Sequence, residues 1–243
     1  VAQLPQVRYV LEPRKGLDIA RNTGAQAASG EIIAYTDDDV LVPENWISKL
    51  REAFHHPQIM AVTGLVIPHV LKTKAQYIFE RNWGFNKGYL PVLFDRNYFL
   101  AKLPYGVPVW DIGAGANMAF RKAAFQLAGY FDERLDVGAS GCSGDSEMWY
   151  RILAEGWSCY YDPALYVFHE HRDTMESLSK QLFSYMRGQV SSLLVQHERY
   201  GHEGNLKRVF KYIPEYYIKR IWKLITLQVR ENPWLFRSKS TRL

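Results

Sequence analysis

The stretch GEIIAYTDDDVLVPENW, residues 30–46, joins a short run of strand-forming residues to three consecutive aspartates and then to the start of a helix. Residues 31–35 predict a buried strand, and Pro43 suits the first turn of a helix. The carboxylates of Asp37, Asp38 and Asp39 repel one another unless a positive charge lies among them. We therefore predict that this segment binds a divalent cation.

Strand and helix patterns alternate on both sides of the aspartates. Residues 7–13 read as a short strand, 17–29 as a helix, 43–55 as an amphipathic helix and 59–67 as another strand. This alternation predicts an α/β fold with a mixed, mostly parallel sheet flanked by helices. Such sheets bind ligands at the carboxyl ends of their strands, where the aspartates are placed.

The middle of the chain is less regular. Residues 72–108 are rich in aromatic side chains and weakly periodic, which suits a mobile loop or a helical flap over a site. Gly113 and Gly115 follow, and paired glycines indicate a close backbone approach or a bulge. Residues 144–157 then predict a helix and the segment after it a strand.

Composition and length limit the function classes. The chain has 243 residues, of which 47% are hydrophobic, enough to fill a core. Cys142 and Cys159 have neither zinc-ligand nor disulfide spacing, which favours a reducing, cytoplasmic location. No apolar run reaches the roughly 18 residues of a membrane-spanning helix, and no signal peptide pattern opens the chain.

Ordinary structural roles compete with a functional interpretation of the acidic residues and histidines. Asp145 is placed to cap the helix that it precedes, and Glu147 with Arg151 forms an i,i+4 pair. His169 and His171 are two residues apart on a predicted strand and face the same side. Taken singly, such residues are common on surfaces and in cores, and their order along the chain carries the functional interpretation.

Three motifs, in order, resemble the family 2 inverting glycosyltransferases. They are GLDIARNTGAQAASGEIIAYTDDD, GAGANMAFRKAAFQLAGYFDERL and GDSEMWYRILAEGW, and the resemblance covers roughly residues 9–172. The resemblance implies a GT-A-type, Rossmann-like fold. It also implies transfer of a sugar from a nucleotide-diphosphate donor to a carbohydrate or lipid-linked acceptor, as in polysaccharide or glycoconjugate synthesis.

The resemblance assigns the metal and nucleotide ligands. Asp37 and Asp39 match the family's DXD motif, in which the last aspartate binds Mn²⁺ or Mg²⁺ and the first lies near the ribose. Asp38 is placed in the same nucleotide site. His169 matches a position that adds a metal ligand in some GT-A enzymes, and Arg21 resembles the family's residue near the nucleotide.

The resemblance also assigns the base and the donor contacts. Asp145 matches the catalytic position of the acidic motif and Glu147 its later acid, while Gly144 stands where the family usually has glutamate. A base there would accept the proton of the attacking hydroxyl. Asn22 belongs to the nucleotide segment. Gly115 and Asn117 are expected to approach the donor sugar.

The chain divides at residue 172 into a predicted catalytic domain, 1–172, and a helical, basic extension, 173–243. Residues 206–243 contain ten Lys and Arg against two acids. One helical face carries apolar residues: Ile218, Ile221, Trp222, Ile225 and Val229. This pattern suits a helix on an anionic membrane surface, and equally a helix packed on the catalytic domain. Nucleic acid is not expected as a partner.

The resemblance begins part-way into the family pattern. The first strand, helix and second strand of the nucleotide-binding half have no counterpart before residue 7, so we expect an N-terminally incomplete fold with weak donor binding and little transfer. Two other classes stay open at this stage. One is a metal-dependent phosphohydrolase, which would hydrolyse nucleotides without an acceptor, and the other is a non-catalytic scaffold that retains the fold.

Overall fold

The structure, a computed structural model, describes residues 7–231. The helices in this part of the chain are α1 (Leu17–Ala27), α2 (Trp46–Ala53), α3 (Lys74–Trp83), α4 (Arg96–Lys102), α5 (Lys122–Leu127), α6 (Gly144–Ala154), α7 (Met175–Tyr200), α8 (Glu203–Lys207) and α9 (Ile213–Glu231). The strands are β1 (Ile32–Thr36), β2 (Val40–Leu41), β3 (Ile59–Pro68), β4 (Val92–Phe94), β5 (Asn117–Arg121) and β6 (Ser158–His169).

These strands form one mixed sheet in the order β1-β5-β3-β6-β2, with β4 paired to the first part of β6. Strands β1, β3 and β6 run in the same direction, and β5 runs antiparallel between β1 and β3. The longest pairing, β3 with β6, is parallel, and the other four pairings in the described residues are antiparallel. The predicted α/β class and mixed sheet are confirmed, and the parallel hydrogen bonding is confined to this central pair.

The apolar sequence of β3 follows from its place in the sheet. The first eight of its ten residues are buried, because helices cover both faces of the sheet. One core cluster packs α5 and α6 against one face, and a second packs α2 against the other through Trp46 and Leu50. Because helices pack on both faces of the sheet, the ends of β1, β5 and β6 are held together along one of its edges.

Residues 7–13 differ from the prediction, because no strand forms there. Val7, Tyr9, Val10 and Leu11 are exposed, and the segment runs as irregular chain in front of α1. A strand is stable only when its backbone groups pair with a neighbour, and no described strand lies beside this segment. Residues 72–108 form α3, β4 and α4, so the segment contains helices as well as a strand, and its role as a flap over the site stays a prediction.

The helical C-terminal part begins by packing on the sheet domain. Gly188 of α7 lies against the backbone of Cys142, and Asn205 of α8 donates a hydrogen bond to the Tyr150 hydroxyl of α6 at 3.0 Å. The division at residue 172 stays a prediction. Among the described residues, no helix is both long and apolar enough to cross a bilayer.

Candidate functional site

Three strand ends meet at one edge of the sheet. Thr36, the last residue of β1, pairs with Asn117, the first residue of β5, while His169 at the end of β6 pairs with both Val40 and Pro68. The turn from β1 to β2 carries Asp37, Asp38 and Asp39 across this edge. The sheet register therefore brings residues far apart in sequence to the same place.

Asp37, Asp39 and His169 form a compact ligand cluster. One ligand atom from each lies within 4.8 Å of the others, and the His169 Nε2 atom is 3.4 Å from Asp39 Oδ1. Asp39 Oδ1 is buried and accepts no hydrogen bond from the described part of the protein. Two carboxylates and an imidazole suit a divalent cation, and the orphaned carboxylate oxygen is an available ligand, so these residues fit such an ion.

The electrostatics of the cluster also suit a cation. Burial raises the pKa of Asp37, an effect that the Arg21 guanidinium opposes and the neighbouring Asp39 adds to. Burial lowers the pKa of His169, against the opposite influence of Asp39. A neutral imidazole is the form that binds metals, and a cation at the cluster would relieve the repulsion between the two carboxylates.

A second layer holds the His169 ring. Its Nδ1 atom lies 3.2 Å from Nδ1 of His171, and the Nε2 atom of His171 lies 2.9 Å from the carboxylate of Glu80 on α3. His171 is buried and packs edge-on against Phe79. The spacing of the two histidines was visible in the sequence, but Glu80 is 91 positions from His171 and no sequence signal indicated it.

Asp145 lies in the first turn of α6 and is half-buried, and its charge adds to the effect of burial in raising the pKa of Asp37. A Cβ atom at Gly115 would lie 2.8 Å from Asp145 Oδ2 and 2.7 Å from a terminal nitrogen of Arg21. The predicted close backbone approach at Gly115 is therefore observed, since a side chain there would meet the ends of the Arg21 and Asp145 side chains and would force them to shift. The donor contact of Gly115 stays a prediction.

Arg21 connects the two halves of the site. One guanidinium nitrogen is 3.1 Å from Asp18 and the other is 3.9 Å from Asp37. The Tyr35 hydroxyl donates a hydrogen bond to the Arg21 carbonyl oxygen at 3.1 Å, which ties α1 to the end of β1. Arg21 thus places a buried positive charge between the aspartate turn and Asp145.

Three predicted donor ligands are buried in the scaffold. Asn117 is fully buried, accepts a hydrogen bond from the Trp46 indole and donates to the carbonyls of Leu65 and Leu165. Asn22 exchanges two hydrogen bonds with the Phe131 backbone, at 3.0 and 2.9 Å. Both amides are held by hydrogen bonds within the scaffold, and their contact with the donor stays a prediction.

Glu147 is the third of these residues. It is fully buried and accepts a hydrogen bond from the Arg151 Nε atom at 2.8 Å. Arg151 also donates to the carbonyls of Ala128 and Tyr130. The helical period turns Glu147 away from Asp145 and into the core, where it forms an ordinary i,i+4 pair, and its contact with the donor stays a prediction. Asp38 is exposed and lies outside the ligand cluster.

Two acids near the site had no sequence signal. Asp136, from a loop 117 to 119 positions away, accepts hydrogen bonds from the first backbone amides of α1 at Leu17, Asp18 and Ile19. Asp18 itself is buried beside Arg21. Burial raises the pKa of Asp18 to about 6, Arg21 lowers it and the nearby Asp145 raises it further.

A cleft of about 460 Å³ adjoins the site. Its walls include Glu80, Trp83, Lys87 and Trp110. Burial lowers the pKa of Lys87, while the charges of Asp111 and Asp145 oppose that lowering. The cleft thus lies between the Glu80 that supports His171 and a lysine within electrostatic reach of Asp145, and it offers indole rings and a cation to a ligand.

The chain is similar to known glycosyltransferases. The family model described as Glycosyl transferase family 2 matches residues 1–127, just over half of the 243 residues. The chain is 24% identical over 187 residues to the pre-mycofactocin glycosyltransferase of Mycobacterium tuberculosis, covering 75% of this chain and 36% of that protein.

A second relative and a solved structure are also similar to this chain. The succinoglycan biosynthesis protein ExoM of Rhizobium meliloti is 25% identical over 203 residues, covering 80% of this chain and 58% of ExoM. The chain therefore spans between a third and three fifths of these two relatives. Among solved structures, the mannosyltransferase PcManGT from Pyrobaculum calidifontis, in complex with GDP-Man and Mn²⁺, aligns with a TM-score of 0.49 and 16% identity, covering 81% of this chain and 49% of that one.

Proposed function

Because the chain belongs to glycosyl transferase family 2, we propose that it transfers a sugar from a nucleoside diphosphate donor to an acceptor hydroxyl with inversion at the anomeric carbon. The observation that carries the proposal is the arrangement of two functional groups across Arg21. A cluster of Asp37, Asp39 and His169 whose ligand atoms could hold a metal ion lies on one side, and a half-buried carboxylate, Asp145, lies on the other.

The cluster side would hold the diphosphate end of the donor. Asp37, Asp39 and His169 would bind Mn²⁺ or Mg²⁺, which supplies neutralisation of the negative charge that develops on the leaving diphosphate. Arg21 adds a fixed positive charge beside Asp37. Charged groups that are already in position stabilise the charge that develops on the diphosphate without having to move. The metal ion and Arg21 together would therefore favour departure of the nucleoside diphosphate.

The Asp145 side would hold the acceptor. Asp145 takes the proton of the acceptor hydroxyl. The oxygen of that hydroxyl forms a bond to the anomeric carbon while the bond between the anomeric carbon and the diphosphate oxygen breaks. Attack from the face opposite the leaving group inverts the configuration. The cleft beside Lys87, with Trp83 and Trp110 in its walls, is the proposed place for the acceptor sugar, since indole rings stack on the apolar faces of sugar rings.

A donor panel tests the proposal. The protein is incubated with Mn²⁺ or Mg²⁺ and UDP-, GDP-, ADP- or dTDP-linked sugars, with and without mixed saccharide or lipid-phosphate acceptors. Metal-dependent release of nucleoside diphosphate that requires an acceptor, lost in Asp145→Asn, supports the proposal. Acceptor-independent cleavage to a sugar phosphate and a nucleoside monophosphate would indicate a phosphohydrolase, and no metal-dependent nucleotide binding would indicate a scaffold.

We also propose peripheral association with an anionic membrane surface at the cytoplasmic face, which would bring the site to a lipid-linked acceptor. Every residue from 214 to 223 of α9 is exposed, including Ile218, Ile221 and Trp222. This exposure supports the membrane alternative, whereas the contact of the Tyr217 hydroxyl with Met186 Sδ of α7, at 3.1 Å, supports a packed helix at that position. The side chains of Ile225 and Val229, and residues 232–243, lie outside the described residues.

Vesicle co-sedimentation tests the membrane proposal. Replacing Lys219, Arg220 and Lys223 with glutamine should reduce binding to vesicles that contain anionic lipid, because each cation near such a surface contributes about 1 kcal/mol. The matched control replaces three exposed cations outside α9. Equal binding by both variants, or binding that salt does not weaken, would contradict the proposal.

A further inference from the structure

Asp18 is a buried carboxylate, and helix capping does not explain its position. It is 2% exposed, and its own backbone amide at the start of α1 is bound by Asp136 at 2.8 Å. Its carboxylate instead contacts Arg21 at 3.1 Å, and the same guanidinium reaches towards Asp37 at 3.9 Å. Asp18 therefore lies behind the arginine that separates the ligand cluster from Asp145.

The Asp18 carboxylate occupies the space beside Gly144. A Cβ atom at residue 144 would lie 2.0 Å from Asp18 Oδ2, 2.4 Å from its Cγ and 2.5 Å from Oδ1. These distances are far below van der Waals contact, and Asp18 is enclosed and held by Arg21. A side chain at residue 144 and the present position of Asp18 thus exclude each other.

Residue 144 is a glycine and lies directly before Asp145 in the chain. The structure puts a carboxylate from a different helix, Asp18 of α1, in the volume that a side chain at residue 144 would fill. A negative charge therefore lies beside residue 144, although residue 144 itself carries none.

Keeping that carboxylate ionised is unfavourable for folding. Burial raises the pKa of Asp18 to about 6, so at neutral pH the folded protein holds a charge that its surroundings disfavour. Groups held at such a cost are concentrated at functional sites. This supports a role in the reaction over a role in stability.

We propose that Asp18 is a positioning residue for the transfer: from α1 it places a carboxylate against residue 144, next to Asp145 in the chain, and it holds Arg21 between Asp37 and Asp145. The inference rests on the proposed function, because Arg21 matters only if Asp37 and Asp145 are the metal and base sides of one site. The inference predicts that the residues at positions 18 and 144 can be swapped. One of the two positions requires an acid and the other requires a small residue.

The test is a two-position exchange in the full chain. The variants are Asp18→Asn, Asp18→Gly, Gly144→Glu and the double variant Asp18→Gly with Gly144→Glu. Each is measured by thermal unfolding and by calorimetric titration of UDP and of GDP in the presence of Mn²⁺. Asp18→Asn keeps the shape of the side chain and removes only its charge, so it remains informative if a smaller residue at position 18 disturbs folding.

The expected results are specific to an exchange. Removing the negative charge that holds Arg21 should weaken Mn²⁺-dependent nucleotide binding by roughly 3- to 20-fold in Asp18→Asn, with no loss of thermal stability. Gly144→Glu alone should lower the unfolding temperature, because it collides with Asp18. The double variant should exceed Gly144→Glu in unfolding temperature and Asp18→Gly in nucleotide affinity.

Two results overturn the inference while leaving the proposed function intact. The first is nucleotide binding by Asp18→Asn equal to that of the unaltered protein. The second is a double variant whose losses are the sum of the two single losses, since independent sites add and coupled sites do not. Absence of Mn²⁺-dependent binding in the unaltered protein would instead refute the proposed function, and that outcome is visible before any variant is made.

Discussion

The replacement Asp39→Asn should separate the stability of the protein from its affinity for metal. The ligand atoms of Asp37, Asp39 and His169 lie within 4.8 Å of one another. Two unit charges at that separation repel by about 1–3 kcal/mol for an effective dielectric constant between that of the protein surface and that of water. The variant also loses the contact between Asp39 and His169, and this loss offsets at most about 1 kcal/mol of the relieved repulsion. The metal-free variant should therefore be as stable as the unaltered protein, or more stable by up to about 2 kcal/mol.

The metal-bound forms should differ in the opposite direction. A ligand at a hundred times its dissociation constant stabilises the folded protein by about 2.7 kcal/mol. For a chain of this size that corresponds to a rise of roughly 5–10 °C in unfolding temperature. The unaltered protein should show this rise with Mn²⁺, and Asp39→Asn should show almost none.

Differential scanning calorimetry with and without Mn²⁺ measures both effects. Asp38→Asn is the matched control. It removes the same charge from the neighbouring residue, whose side chain is exposed and lies outside the ligand cluster. It should keep most of the Mn²⁺-induced rise. A full rise in Asp39→Asn, or an equal loss in both variants, would refute the assignment of Asp39 as a ligand and leave only a general acidic surface.

Four further predictions concern single residues of the site. Asp145→Asn should lower transfer by roughly 10²–10⁴-fold, the range for loss of a general base, while calorimetry shows unchanged Mn²⁺-dependent nucleotide binding; a matching loss of binding would contradict the role. Glu147→Gln should lower the free energy of unfolding in urea by about 3 kcal/mol, because Arg151 loses the carboxylate that pairs with it in the core, and nucleotide affinity should not change. Glu80→Gln should weaken Mn²⁺ affinity by roughly 10-fold and shift the histidine ring nitrogens in NMR spectra, since it loosens the second layer of the cluster; unchanged spectra would refute that support. Asp18, whose pKa rises from 3.8 to about 6 on folding, binds its proton more tightly in the folded state, so its contribution to stability falls as pH rises through this interval; Asp18→Asn should flatten that part of the stability profile, and an unaltered profile would contradict the burial effect.

The sequence alone contains most of the local information about the site. The run of strand-forming residues before three aspartates predicted β1 and the acidic turn, and the helical periods of 17–29 and 144–157 correspond to α1 and α6. Asp37, Asp39 and His169 were expected together from the family pattern, and the structure places them in one cluster. These predictions succeed because they depend on short-range periodicity and on residue types that few other roles combine.

Residues 7–13 show where local propensity is insufficient. Their β-branched and aromatic side chains indicate a strand, but a strand requires a partner, and the pairing of backbone groups is decided by the whole sheet. For the same reason the antiparallel insertion of β5 between β1 and β3 could not be predicted from the alternation of strands and helices. Periodicity describes one segment at a time and carries no direction relative to its neighbours.

The direction of polar side chains was decided only by tertiary packing. Asn117 and Glu147 lie in motifs that are rich in functional residues, yet both point into the core, where buried polar atoms must find partners. Asp18 and Gly144 are 126 positions apart, and neither residue type alone indicates that one fills the space left by the other. Sequence determines which chemical groups are available and in which order, whereas their mutual distances depend on how α1, α6 and the sheet pack, because a side chain's surroundings are supplied by residues remote from it in the chain.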